Sequence, residues 1–387
     1  MTSVYTVRAA SRAEQENWDE LSEQNPLGGE FSNSRVFARV KSQYGWHPRF
    51  LIWETDGKPA FAGLVLERRI PLLGKFWYLP TAPALQDAAE VGAGLKALEE
   101  YVKTHEPTVF AVSAEPTLPV IPADDPDTVA GRHTLPPSFA SLIPEKEALD
   151  TIKSRLSVPV TDLKRGRMDA ITAVIDLDQT ADELLASFDK KCRNMVRRGE
   201  REGVEFRELP ATQETFDKMW KLMHKVGGGR TDLVIRPRAY LESYWKGFAD
   251  QGRGRFYAAV DNGEISVLAF VVLTGKNATY KDGGSDRALQ SAGSANYLHW
   301  RIMLEMQKLG ATSYNMFGVA PVTAQSDTDH INYSLGRFKL SFSKRRSTLV
   351  GRVELIFNET KYKLWSRVGA GIASRLHARK YKDSQMI

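Results

Sequence analysis

The segment Leu335-Gly336-Arg337-Phe338-Lys339-Leu340-Ser341-Phe342 sets one lysine between aromatic residues, just before a strand-like run from Thr348 to Ile356. An ammonium fixed at a strand edge can stand beside a reacting carbonyl and stabilise the charge that grows on its oxygen. Ordinary amphipathic decoration of an edge gives the same pattern. A second set of cations, Lys190, Lys191, Arg193, Arg197 and Arg201, runs along a helix expected from about Ala181 to Arg201. Leu185, Phe188, Cys192, Met195 and Val196 form its apolar side at spacings of three and four. A single-sign stripe loses stability through i,i+4 repulsion, so it points to a polyanionic partner. RNA phosphates match it, because Arg and Lys supply charge without sequence preference. A solvated basic face is the plain alternative.

Other candidates are shorter. In Arg236-Pro237 followed by Tyr240, proline pins a helix start, with the arginine at its mouth and the tyrosine one turn inside. Such a pair can clamp a phosphate or carboxylate. Glu115-Pro116 ends a buried-looking strand, where a carboxylate can face a cleft or simply start a turn. Lys41 follows Phe37 by four residues on an amphipathic helix, a spacing equally usual for a surface lysine. Gly227-Gly228-Gly229-Arg230 is loop-like but lacks the Lys-Ser/Thr of a nucleotide-hydrolysing P-loop. Gln290-Ser-Ala-Gly293-Ser-Ala295 fits the loose loop with which acetyltransferases cradle acetyl-CoA pyrophosphate, and a plain loop with an N-cap serine fits as well.

The elements that must carry these groups alternate. Helices are expected at Arg12 to Gln24, Ser34 to Gln43 and Asp87 to His105, with strands at Phe50 to Glu54, Ala60 to Arg68 and Thr108 to Ser113. The proline-rich, acidic stretch 121–165 reads as an irregular connector. A second unit opens near Met168 with a strand at Thr172 to Leu177, the basic helix, and helices at Thr215 to Val226 and Pro237 to Gln251. Three strands between Phe256 and Asp282 follow, then a helix from Ala295 to Leu309 ended by Gly310, a strand at Ser313 to Phe317 and a hairpin at Phe338 to Phe357. Antiparallel strands, a helix and then another strand make an acetyltransferase-like (GNAT) order, roughly echoed by the first unit. The expected class is α/β (α+β): two tandem GNAT-like domains of mostly antiparallel mixed sheets flanked by helices. The boundaries are 1–165, completed by 352–387, and 166–351.

Composition bounds the function. The chain has 387 residues, 42% hydrophobic and 26% charged, a net charge of +6 and a single cysteine, Cys192. That length suits two globular units. No apolar run reaches the roughly 20 residues of a spanning helix, and the first residues lack a signal-peptide pattern. One cysteine permits no internal disulfide, which suits a reducing cytosol, and its apolar surroundings predict a core thiol. The seven histidines show no pair at metal-ligand spacing, so no metal is expected. The basic balance favours nucleic acid, phosphorylated substrates or anionic lipid. From Lys361 to Lys382, Tyr362, Trp365, Val368, Ile372 and Leu376 alternate with Lys363, Arg367, Arg375, Arg379 and Lys380. Such a helix can lie on anionic lipid or pack on the first domain.

Taken in order, the residues resemble the FemABX peptidoglycan-bridge aminoacyltransferases. The series runs through Asp176-Leu177, Glu183-Leu184-Leu185, Lys190-Lys191-Cys192-Arg193, Arg236-Pro237 with Tyr240, and Tyr280 with Gly284-Ser285. It continues through Asn296-Tyr297, Trp300, Tyr314 and Phe317-Gly318 to Phe338-Lys339, Phe342 and Gly351. Phe37, Lys41, Tyr78-Leu79-Pro80 and Glu115-Pro116 extend it over the first half. The resemblance implies transfer of an amino acid from aminoacyl-tRNA, a co-substrate rather than a cofactor, to a stem-peptide amine. The acceptor it implies is UDP-MurNAc-pentapeptide or its lipid-linked form, lipid II. Some relatives carry a coiled-coil arm for which the helix at 181–201 shows no room, so the chain looks like the armless type. A cytoplasmic monomer that can contact the inner membrane leaflet is expected. The resemblance casts Lys339, Phe338 and Glu115 as catalytic and Lys41, Arg236, Tyr240, Tyr280 and Asp282 as acceptor-binding. Lys190, Lys191, Arg193, Arg197, Arg201, Lys344 and Arg345 fall to the tRNA. The chain departs from the family pattern at Glu115, at Asp282 and at Ser343-Lys344-Arg345-Arg346. The rivals are an acetyl-CoA-dependent N-acetyltransferase and a non-catalytic RNA-binding protein.

Overall fold

The computed structural model describes residues 3–122, 142–163, 171–226, 235–320, 327–328, 333–343 and 346–386. They form two compact units, one built from residues up to 122 with 142–163 and 348–386, the other from the described residues of 171–347.

The first unit contains β1 (Thr6–Ala9), β2 (His47–Thr55), β3 (Lys58–Ile70), β4 (Gly74–Leu79), β5 (Val109–Ala114), β6 (Val160–Leu163) and β14 (Arg352–Ile356). Their order in the sheet is β1-β2-β3-β4-β5-β14-β6. β2 and β3 meet through Asp56-Gly57, both at positive φ, as a type I′ hairpin turn requires. The helix Ala88–His105, capped by the Asp87 side chain on the Glu90 amide at 2.7 Å, carries the chain across the sheet. β5 therefore runs parallel to β4. That helix buries Val91, Leu95, Leu98 and Val102 with Trp53 and Trp77. A separate core holds Trp18, Trp46, Phe76 and Phe110 with Tyr362 and Trp365 from the C-terminal helices.

The second unit contains β7 (Ile171–Asp176), β8 (Glu205–Leu209), β9 (Gly254–Asp261), β10 (Glu264–Thr274), β11 (Asn277–Ser285), β12 (Ser313–Gly318) and β13 (Arg346–Thr348), in the order β13-β7-β12-β11-β10-β9-β8. Asn262-Gly263 repeats the two positive-φ residues between β9 and β10. The helix Ser294–Lys308 spans to β12, which is parallel to β11. Each sheet thus holds antiparallel strands, a crossing helix and one parallel neighbour, the acetyltransferase-like order expected of two tandem GNAT-like units.

Four expectations change. Phe338 and Lys339 lie on a helix, Tyr333–Leu340, and not on a hairpin strand. Of the expected hairpin only β13 joins the second sheet, while β14 inserts between β5 and β6 of the first. Strand pattern says nothing about which sheet receives a strand. The single helix 181–201 is two, Ala181–Ser187 and Lys190–Arg201, broken at Phe188. Asp189 leaves helical φ/ψ there to accept the Cys192 amide at 2.6 Å. Part of the supposed connector is regular: Glu145–Ser154 is a helix that buries Ala148 and Ile152, and β6 extends the sheet.

Candidate active site

Lys339 is 4% exposed, and its Nζ donates to the Gly318 carbonyl at 2.9 Å. Among the described residues this is its hydrogen bond, and no carboxylate faces it. The acceptor is presented by an irregularity in β12, whose register against β7 shifts between Asn315 and Gly318. Phe317 adopts φ 66° there, with its N–H held by Asn315 Oδ1 at 2.7 Å. A bulge of this kind re-aims backbone groups that a regular ladder would consume.

A second bulge supplies a second cation. β10 pairs Phe270 with Asp282 but Val271 with Tyr280, leaving Lys281 as the extra residue. Its ammonium lies 5.4 Å from the Tyr244 ring centroid and 5.5 Å from that of Phe317, and 3.3 Å from Asp282 Oδ1. The other Asp282 oxygen accepts Trp245 Nε1 at 2.9 Å. Burial, reinforced by the Lys281 charge, lowers Lys339 to about 7.

Aromatic rings wall the lysine. His299 packs edge-on to Tyr280 (4.5 Å), Phe338 (5.6 Å) and Phe342 (5.7 Å), and Phe338 meets Phe342 at 5.3 Å. His299 Nδ1 is 3.0 Å from the Tyr314 hydroxyl. Burial, with the Lys339 charge adding, lowers His299 to about 3, so the ring is neutral at ordinary pH. Burial raises the Tyr280 phenol, with the Asp282 charge adding. A Cβ at Gly283 would collide with the Tyr280 hydroxyl, so glycine is needed there to seat it. The arrangement is a buried, aromatic-lined lysine with a second, partly exposed ammonium beside it, and the buried charge can act on a developing anion with little solvent screening.

Lys339, Phe338, Tyr280 and Asp282 are thus gathered in the second unit. Arg236 lies over the Tyr240 ring at 5.0 Å, at a helix (Arg238–Asp250) for which Pro237 is the N-cap. Lys41 and Glu115 belong to the first unit. Lys41 is buried with its ammonium 5.4 Å from the Phe37 centroid, and is not the surface lysine its spacing also allowed. Glu115 Oε1 accepts Arg352 Nε at 2.8 Å and Nη2 at 2.7 Å, so this carboxylate clamps the end of β5 to β14. Lys344, Arg345 and the Gly227–Arg230 loop lie outside the described residues. Sequence reading missed Lys281 and His299. The double glycine at 283–284 is the one local hint that β11 is irregular.

The cations of the basic helix fall into two groups. Lys190, Lys191, Arg197 and Arg201 are exposed and form no ion pair among the described residues. Arg193 turns inward, its Nη1 donating to the carbonyls of Ala186, at 3.1 Å, and Phe188. It closes the end of the preceding helix. Cys192 is buried, its Sγ accepting Asn296 Nδ2 at 3.2 Å, and burial raises the thiol to about 11.

The Gln290–Ala295 loop is filled. A Cβ at Gly199 of the basic helix would lie 2.8 Å from the Tyr297 Cβ and 3.2 Å from the Gly293 carbonyl. The Ser291 amide and the Ser294 hydroxyl donate to buried Asp261 at 3.2 and 2.9 Å. Burial opposes ionisation of Asp261, but these donors and Ser266 outweigh it and hold its carboxyl below the usual range. An anion already occupies the donors that a pyrophosphate would use. The N-cap is Gly293, not a serine.

Comparison with known proteins agrees with this architecture. The crystal structure of FemX matches with a TM-score of 0.73 over 92% of this chain and 99% of its own, at 17% identity. A conserved protein of unknown function from Bacteroides thetaiotaomicron gives 0.53 over 91% and 99%, at 10% identity. L-PGS from Bacillus licheniformis gives 0.50 over 96% and 98%, at 13% identity. At such identities these likenesses establish the fold. No curated protein sequence matches the chain. The FemAB family profile matches residues 13–259 and 256–368, spanning both sheets and the aromatic-lined lysine. With that match across nearly its whole length, the chain belongs to the FemAB family.

Proposed function

We propose that this protein transfers an amino acid from aminoacyl-tRNA to the stem-peptide amine of a peptidoglycan precursor. The coarse part, a transferase of peptidoglycan bridge formation, follows from family membership. The observation that carries the chemistry is the buried Lys339 ammonium, unpaired with any carboxylate among the described residues and doubled by Lys281. The acceptor amine attacks the aminoacyl ester carbonyl. A C–N bond forms, the ester C–O bond breaks, and the ribose hydroxyl leaves with the proton. Lys339 stabilises the intermediate oxyanion, a contribution of about 3 kcal/mol in comparable sites. Phe338 shapes the pocket for the terminal adenosine. Arg236, Tyr240, Tyr280, Asp282 and Lys41 serve the acceptor, and the exposed basic residues serve tRNA phosphates. Glu115, engaged by Arg352, is a poor base, and the leaving ribose oxygen takes the amine's proton. The protein works as a monomer, on UDP-MurNAc-pentapeptide or on lipid II at the cytoplasmic face.

A transfer assay with a panel of charged tRNAs and both acceptor forms tests this. Label is expected to pass to a precursor and to be lost about 100-fold in folded Lys339→Met. No transfer from any charged tRNA, with tRNA still bound, would favour an RNA-binding protein. Acetyl-CoA binding by calorimetry would revive the acetyltransferase reading, which the filled Gln290 loop opposes.

A further inference from the structure

The C-terminal helices carry charge out of proportion to their length. Between Glu359 and Lys382 seven lysines and arginines face one glutamate, a net +6 equal to that of the entire chain. The segment runs as Glu359–Leu364, a π-turn over Trp365–Gly369 and the helix Ala370–Tyr381. One side is committed: Tyr362, Trp365 and His377 are buried in the first unit. The other side exposes Leu364, Val368, Ile372 and Leu376, each 49–59% accessible. Residues four apart drift about 40° per step on an α-helix. The wider π-turn between Leu364 and Val368 offsets part of that drift, so the four side chains form one line. Among the described residues Arg367, Arg375 and Arg379, which flank the line, form no ion pair.

A second apolar feature of the same unit adjoins this helix. The β3–β4 turn ends in Leu72, which is 99% exposed and held at φ 66°, a region leucine rarely visits. The turn meets the C-terminal helices just after Leu72. Leu73 Cδ1 lies 3.5 Å from where a Gly369 Cβ would be, and Lys361 Nζ 3.9 Å from a Gly74 Cβ. A folded protein gains nothing from a fully exposed leucine in a strained conformation beside a four-residue aliphatic line. No helix among the described residues is long and apolar enough to cross a membrane.

We propose that this face of the first unit, the Leu364–Leu376 line with the Leu72 tip, binds peripherally to a bilayer carrying anionic phospholipid. The aliphatic line enters the acyl boundary and the flanking arginines meet the phosphate headgroups. RNA would use the charges but not the aliphatic line, and a protein partner would leave unpaired arginines to satisfy. The surface is independent of Lys339 and of the transfer reaction.

The test is co-sedimentation of the full chain with phosphatidylcholine vesicles, with or without one quarter phosphatidylglycerol. Wild type is compared with Leu72→Ser/Leu364→Ser/Leu376→Ser, each of whose side chains is exposed, with circular dichroism confirming the fold. At least tenfold more wild type is expected on the anionic vesicles, with the triple variant at background and about 0.5 M salt weakening binding. Wild type at background, or a folded triple variant that binds like wild type, overturns the proposal. So does a wild-type dimer that the triple variant converts to monomer in sedimentation equilibrium, because a second copy then covers the line. Loss of tRNA binding in the triple variant with no vesicle binding by wild type would likewise reassign the face to RNA.

Discussion

The Lys339 ammonium sits 2.9 Å from the Gly318 carbonyl, so a backbone dipole, and not a carboxylate, holds this buried charge. Lys103 pairs with Glu99 and Lys75 with Glu106, whereas Lys339 is left to a bulged strand end.

That difference has a pH signature. Lys339 titrates at about 7 folded against 10.5 unfolded, because burial disfavours its charge. Between those values the unfolded chain binds more protons, so stability rises with pH across the window and the full penalty applies below pH 7. Lys339→Met removes the buried charge. It should stabilise the fold by about 2–4 kcal/mol near pH 6 and much less near pH 10, checked by thermal melts. Because the protonated form does the work, wild-type kcat/KM should fall as pH rises through about 7.

Arg352 binds one oxygen of a Glu115 side chain that is only 5% exposed. Arg352→Ala removes a bidentate donor from that buried carboxylate and should destabilise by about 3–5 kcal/mol in denaturant titrations. Replacing both residues by methionine should recover most of the loss. If the pair adds no coupling in a double-mutant cycle, it does not clamp β14 to β5.

The basic helix predicts two phenotypes. Arg197→Ala and Arg201→Ala should weaken tRNA binding for all sequences alike and each reduce the salt slope by about 1, without moving Tm. Arg193→Ala should instead cost about 1 kcal/mol of stability, because Ala186 and Phe188 lose a donor. Filter binding across a salt series, beside melting curves, reads both.

Local signals carried much of the fold. Asp56-Gly57 and Asn262-Gly263 mark their hairpins through a positive φ that few residues accept. The helix Ala88–His105 follows from its apolar spacing and its cap. What stayed hidden depends on pairing. Lys281 becomes prominent only because β10 and β11 slip by one residue, and inside β11 only the double glycine hints at that slip. The cage around His299 joins residues from β11, β12 and the helices Ser294–Lys308 and Tyr333–Leu340, which only tertiary packing brings together. Lys339 itself was legible as chemistry, but its element was not, since an eight-residue helix and an edge strand share much the same short apolar pattern.

The insertion of β14 between β5 and β6 has a consequence for birth on the ribosome. Every strand of the second sheet through β13 is synthesised before Arg352 emerges. The N-terminal sheet therefore keeps the facing edges of β5 and β6 unfilled until near the end of synthesis. Until β14 is made, the open edges of β5 and β6 offer a site for edge-to-edge pairing during translation.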